Sequence, residues 1–131
     1  MANLNLAEFW SRTADDNKDH DTGVYVDVKT ANGQTLLAQI ANADNSDDDA
    51  TEYNDGSEHT IKLAGLSTGS TKDDCNGFKV SLKSKANGGD KWKIETARVI
   101  LYFTDGTNLA KEIHGIELDS DDSNFSNVVN F

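Results

Sequence analysis

Between Asp44 and Gly56 the chain reads DNSDDDATEYNDG, which sets Asp44, Asp47, Asp48, Asp49, Glu52 and Asp55 within thirteen residues. No Lys or Arg occurs between Lys29 and Lys62. This is the chemistry of a hard-cation site, because calcium takes about six to eight oxygens from carboxylates, amides, carbonyls and water. A second cluster has the same character. In DDNKDHDTG, Asp15, Asn17, Asp19 and Asp21 recur at alternate positions and run into Gly23, a spacing that lets side chains converge in a turning loop. Lys18 counts against a metal there, and a helix-to-strand linker built of turn formers is the competing reading.

Set on the EF-hand template, Asp44, Ser46 and Asp48 take positions one, three and five, Glu52 takes nine and Asp55 takes twelve. Position six, glycine in the template, is Asp49; the bidentate glutamate is replaced by Asp55, and the exit GSEHTIKL reads as a strand. The EF-hand is therefore excluded. A calcium loop of another kind and a solvated acidic loop remain. The two clusters, though distant in the chain, are expected to share one end of the fold if calcium binds. A third run, Asp119, Asp121 and Asp122, reads as solvated tail.

Positive charge is segregated too. From Lys62 to Arg98 there are eight Lys or Arg against four Asp or Glu. Lys79, Lys83 and Lys85 share one strand parity, and Lys91 and Lys93 flank Trp92. Such a stripe could meet anionic headgroups. It could equally be a solvated strand face, where lysines also block edge-to-edge pairing, or pair with the acidic loop of a second copy.

Catalytic patterns are lacking. His20, His59 and His114 are dispersed without metal spacing, and Cys75 in KDDCNG follows two acids that disfavour its thiolate. No pair of carboxylates stands out as a glycosidase couple. The expectation is a protein that is not an enzyme.

The whole chain has 131 residues, with 23 Asp plus Glu against 12 Lys plus Arg, so a general nucleic-acid binder is disfavoured. One cysteine excludes an intramolecular disulfide and a multi-cysteine zinc site. No apolar run reaches the ~20 residues of a transmembrane segment. The opening MANLNLAEFW lacks the basic and apolar regions of a signal peptide. A cytoplasmic protein, or one exported without a conventional signal peptide, is expected.

The elements that must position these residues follow from periodicity. Asn5 as a cap, Glu8 three residues on, and Leu6, Phe9, Trp10 and Thr13 on one face predict a short N-terminal helix. From Gly23 the period becomes two: GVYVDVKT and GFKVSLKSK alternate as half-buried strands. KWKIETARVILYF starts likewise and becomes an apolar run over Val99–Phe103, as in a strand covered on both sides. Asp105-Gly106 signals a hairpin into NLAKEIHGIEL, where Gly115 marks a candidate bulge. HTIKLAGL reads as a strand, and TLLAQIA fits a helical turn or a strand. The tail, polar as far as Val128 and Val129, is either frayed or a last edge strand. The sum is an all-β chain, an antiparallel β-sandwich. Its expected divisions are a helix and acidic linker over 1–22, a sandwich over 23–118 and an acidic polar tail over 119–131.

In order, VYVDVKTANGQ, TLLAQIA, YNDGSEHTIKL and GFKVSLKSKANGGDKWKIETARVILYF resemble a PLAT (lipoxygenase homology) domain over about Gly23 to Leu118. The Gly-Thr-Asp-Ala turn of that family reads GQTLLA here, which removes an acidic calcium ligand, and the closing aromatic motif is missing. The resemblance implies a non-catalytic module that docks to lipid surfaces or proteins, with calcium at loops of one end. By position it would put Asn87 and Asp90 on a calcium-side loop, with Trp92 opening the core strand.

Three functions stay open from sequence. The first is a binding module, calcium-assisted, that docks to a protein, an anionic lipid surface or a glycan; sugar rings would stack on Trp92, Trp10, Tyr53 or Tyr102. The second is an acidic inhibitor or immunity-type protein that blocks a basic partner with the Asp44–Glu58 loop. The third is a structural or assembly subunit that joins copies into an oligomer through acidic and basic faces.

Overall fold

A computed structural model of the chain describes residues 2–15, 23–43, 55–85, 88–121 and 123–131. The strands are β1 (Leu4–Thr13), β2 (Gly23–Lys29), β3 (Leu36–Ala43), β4 (Glu58–Lys62), β5 (Lys79–Lys85), β6 (Gly89–Phe103), β7 (Asn108–Asp121) and β8 (Val129–Asn130). One helical turn, α1 (Lys72–Cys75), precedes β5. Two four-stranded antiparallel sheets form, in the orders β4-β1-β6-β7 and β3-β2-β5-β8. The all-β sandwich expected from alternation is the observed architecture.

Alternation builds its core. Val24, Val26 and Val28 face inward from β2, and Val80 and Leu82 face inward from β5. Trp92, Ile94, Val99, Leu101 and Phe103 from β6 complete the other wall with Phe9 of β1. Full burial of such side chains contributes roughly 1.5–3 kcal/mol each. Trp92 also donates from Nε1 to Oγ1 of Thr13 at 3.0 Å, which satisfies a polar atom inside the core.

The N-terminal segment corrects the sequence reading. It is not a helix: β1 lies between β4 and β6, with Phe9 opposite Ile61 on one side and Val99 on the other. Its inward residues after a bulge are Ala7, Phe9, Ser11 and Thr13, a period of two. Two neighbouring strands supply hydrogen bonds and packing that outweigh local capping preference. The sandwich thus takes in β1 and β8, which lie outside the 23–118 span. TLLAQIA resolves as β3, and the tail pairs as β8 against Ser81 and Leu82.

Two features of β6 and β7 matter below. The run Val99–Phe103 is not covered on both sides, because Ile100 and Tyr102 are only half-buried on the outer face. The inward parity of β7 switches from Ile113 to Ile116 across Gly115, whose φ of 64° suits glycine. The Asp105-Gly106 hairpin forms as expected, with the Phe103 N–H donating to the Thr107 carbonyl at 2.9 Å.

Candidate functional site

The described strand ends that flank the two acidic stretches lie at one end of the sandwich. The C-terminus of β1, the N-termini of β2 and β4 and the C-termini of β3, β5 and β7 all lie there. The Gly56 N–H donates to the Thr13 carbonyl at 2.8 Å, and the Thr13 N–H donates to the Ser57 carbonyl at 2.9 Å. Asp15 and Asp55, flanking members of the two acidic clusters, are therefore neighbours in the fold. Both are exposed. Asp15 lies 3.8 Å from Lys93 Nζ, so a cation would have to compete with that lysine. Asp90 stands half-buried on β6, opposite Ser120. Asn17, Asp19, Asp21, Asp44, Asp48, Glu52 and Asn87 lie outside the described residues, as does most of the Asp44–Glu58 loop. Among the described residues no group of three or more His, Cys, Asp or Glu is placed to hold a metal.

The lysine stripe is divided between the sheets. Lys79, Lys83 and Lys85 project from β5 on the outer face of the second sheet, whereas Lys91 and Lys93 belong to β6 in the first. On the first sheet Lys91 pairs with Glu117 at 3.5 Å, Lys93 with Asp15 and Arg12 with Glu95 at 3.4 Å. Arg98 Nε donates to Glu112 at 2.7 Å, and its guanidinium lies 4.9 Å from the Trp10 ring centroid. The Arg98 hydrogen bond holds the Glu112 carboxyl below the usual glutamate range, with further help from the Arg98 and His114 charges.

Thr96 Oγ1, His114 and Glu112 are joined by contacts of 3.1 and 2.9 Å, the connectivity of a nucleophile–base–acid chain. Thr96 is nearly buried and Glu112 is already committed to Arg98, so the group is a cross-strand polar ladder. Burial, then the Asp74 charge, pushes the Cys75 thiol up, which keeps it un-ionised as its sequence neighbours suggested.

On the second sheet the lysines meet aromatic rings instead. Tyr25 of β2 sits opposite Lys83, and its ring packs edge-on against Phe125 at 4.9 Å between centroids. Lys83 Nζ lies 4.3 Å and Lys85 Nζ 5.0 Å from the centroid of Phe125, within cation–π range. Phe125 is 42% exposed. No carboxylate of the described residues lies within 4.0 Å of Lys79, Lys83 or Lys85.

The tail is shaped to present that ring. The Asp121 carboxylate accepts from the N–H groups of Ser123 and Asn124 at 2.8 and 2.7 Å, an Asx-type turn. The Ser84 N–H donates to the buried Ser126 hydroxyl at 2.8 Å, and the Ser126 N–H returns to the Ser84 carbonyl at 2.8 Å. With Ser126 turned inward and stitched to β5, Phe125 is held outward. Sequence reasoning missed Phe125 and Tyr25. The available signal was a single aromatic inside a polar tail, at a distance from β5 that only the fold reveals.

No protein-family model and no curated protein sequence matches the chain. Solved structures do match in fold, among them two clostridial toxins. Clostridium perfringens alpha-toxin from avian strain SWCP matches with a TM-score of 0.62 and 18% identity over 98% of this chain. The alpha-toxin of Clostridium absonum matches at 0.53 and 18% over 89%. The chain spans 31% of the length of each toxin, and what it shares with that portion is a β-sandwich fold.

Proposed function

We propose that this sandwich is a non-catalytic binding module that docks to anionic lipid surfaces through the outer face of its second sheet. One observation carries the reading. In a chain of net charge −11, Lys83 and Lys85 are left without carboxylate partners among the described residues and are gathered around an exposed phenylalanine. Lysines near an anionic leaflet contribute about 1 kcal/mol each. An aromatic ring at headgroup depth adds apolar burial. The resemblance to PLAT domains points the same way.

Calcium is the cofactor suited to the acidic end, where Asp55 and Asp15 flank the two clusters. Bound there, it would lower the negative potential beside Lys85 and favour approach to an anionic surface.

The test is co-sedimentation with phosphatidylcholine vesicles, with and without phosphatidylserine, in calcium and in chelator. Binding is expected to phosphatidylserine vesicles and to be stronger in calcium. Phe125→Ser should weaken it about tenfold, the loss of partial apolar burial. Equal sedimentation with neutral vesicles contradicts the docking face. Equal binding in chelator removes calcium and leaves the face intact.

A further inference from the structure

About four residues along the same sheet, roughly 13 Å from the aromatic patch, lies a second basic feature. A groove of about 520 Å³ is lined by Lys29, Lys79 and Lys111, with Asp27, Ser81 and Phe131. The three lysines come from β2, β5 and β7, so both sheets contribute. Lys29 and Lys79 stand directly opposite each other across the β2–β5 pair. Like charges in that position are destabilising. No carboxylate of the described residues comes within 4.0 Å of any of the three, although Asp27 lines the groove. Three lysines lining one groove of an acidic protein, none of them ion-paired to a described carboxylate, favour an anion there.

The chemistry of the lining narrows which anion. The lining residues include three lysines, whose ammonium groups act as point charges with three donors each, and no arginine, whose guanidinium fork suits a planar carboxylate. A compact dianion with oxygens in several directions meets three such groups best. Phe131 supplies an apolar wall beside them, so room exists for a carbon substituent. We propose that this groove binds a phosphate monoester dianion, carried by a small polyol or by a lipid headgroup of the phosphatidic acid type. The site does not depend on the docking reading.

Calorimetric titration of the full chain with glycerol 2-phosphate tests it, beside vesicles of phosphatidic acid and of phosphatidylserine at matched surface charge. Saturable binding is expected in at least one arm. Glycerol 2-phosphate binding identifies a free ester as sufficient; binding confined to phosphatidic acid vesicles identifies the headgroup. Lys79→Gln and Lys111→Gln should each weaken it about tenfold, one charge-assisted contact apiece, and Asp27→Asn should tighten it. Affinity should fall below a pH of about 6, where the ester loses its second charge. Circular dichroism melts of the variants establish that they fold. The site is overturned if both lysine variants bind as the wild type does, if sodium chloride at equal ionic strength reproduces the signal, or if neither arm binds. Failure there leaves phosphatidylserine docking through Lys83 and Lys85 untouched.

Discussion

Trp92→Ala is expected to lower the stability of the fold by about 3–5 kcal/mol, a drop of roughly 10–20 °C in melting temperature. Trp92 is fully buried, pairs with Leu118 across β7 and donates its indole N–H to Thr13 of β1. Its loss opens a cavity in the core between the sheets and also removes the indole hydrogen bond to Thr13 at the end of β1. A domain of this size has only about 5–15 kcal/mol in total, so a large share would go. Thr13→Val isolates the polar part and should cost about 1–3 kcal/mol by removing a buried acceptor. A thermal melt followed by circular dichroism measures both. A change within a degree or two for Trp92→Ala would contradict its placement in the core.

The second large effect concerns binding. Lys83→Glu combined with Lys85→Glu changes the patch by four charges, about 4 kcal/mol at an anionic surface or roughly a thousandfold in partition. Association with phosphatidylserine vesicles should fall below detection. The melt should stay near wild type, because both side chains leave the core and Val80 and Leu82 keep the inner face of β5. For the wild type, raising salt should weaken association, since exposed charges are screened beyond about 8–10 Å. Lys91→Glu with Lys93→Glu on the opposite sheet makes the matched control, and vesicle binding should persist.

The sheets were legible in the sequence wherever inward positions carried large apolar side chains. Val24, Val26 and Val28, or Val80 and Leu82, announce a period of two without help. In β1 the inward positions are Ala7, Phe9, Ser11 and Thr13, of which one is strongly apolar, while Leu6 and Trp10 lie on the other face. That composition mimics a helical stripe, and the cross-strand bonds that decide the matter come from residues about fifty and ninety positions away. The hairpin at Asp105-Gly106 was readable because it rests on local backbone chemistry, whereas the bulge expected at Gly115 is a change of inward parity with no register shift against β6.

Sites were less legible for a related reason. The lysines of β5 and β6 look like one stripe along the chain, yet the crossover between the sheets sends them to opposite faces. The convergence of Lys111 with Lys29 and Lys79 and the pairing of Phe125 with Tyr25 arise from elements far apart in sequence. By sequence the two clusters are expected to share one end if calcium binds; of their acidic members only Asp15 and Asp55 lie among the described residues, and those two are neighbours through the Thr13–Gly56 backbone pairing.

The most direct measurement places an environment-sensitive fluorophore on each face in turn. Cys75 is fully buried, so Asn124→Cys, beside an intact Phe125, and, separately, Thr60→Cys can be labelled selectively under native conditions. On addition of phosphatidylserine vesicles, the label at position 124 should shift to shorter wavelength and become protected from aqueous quenchers, while the label at position 60 on the first sheet stays exposed. A shift at position 60 with none at position 124 would contradict docking through the second sheet.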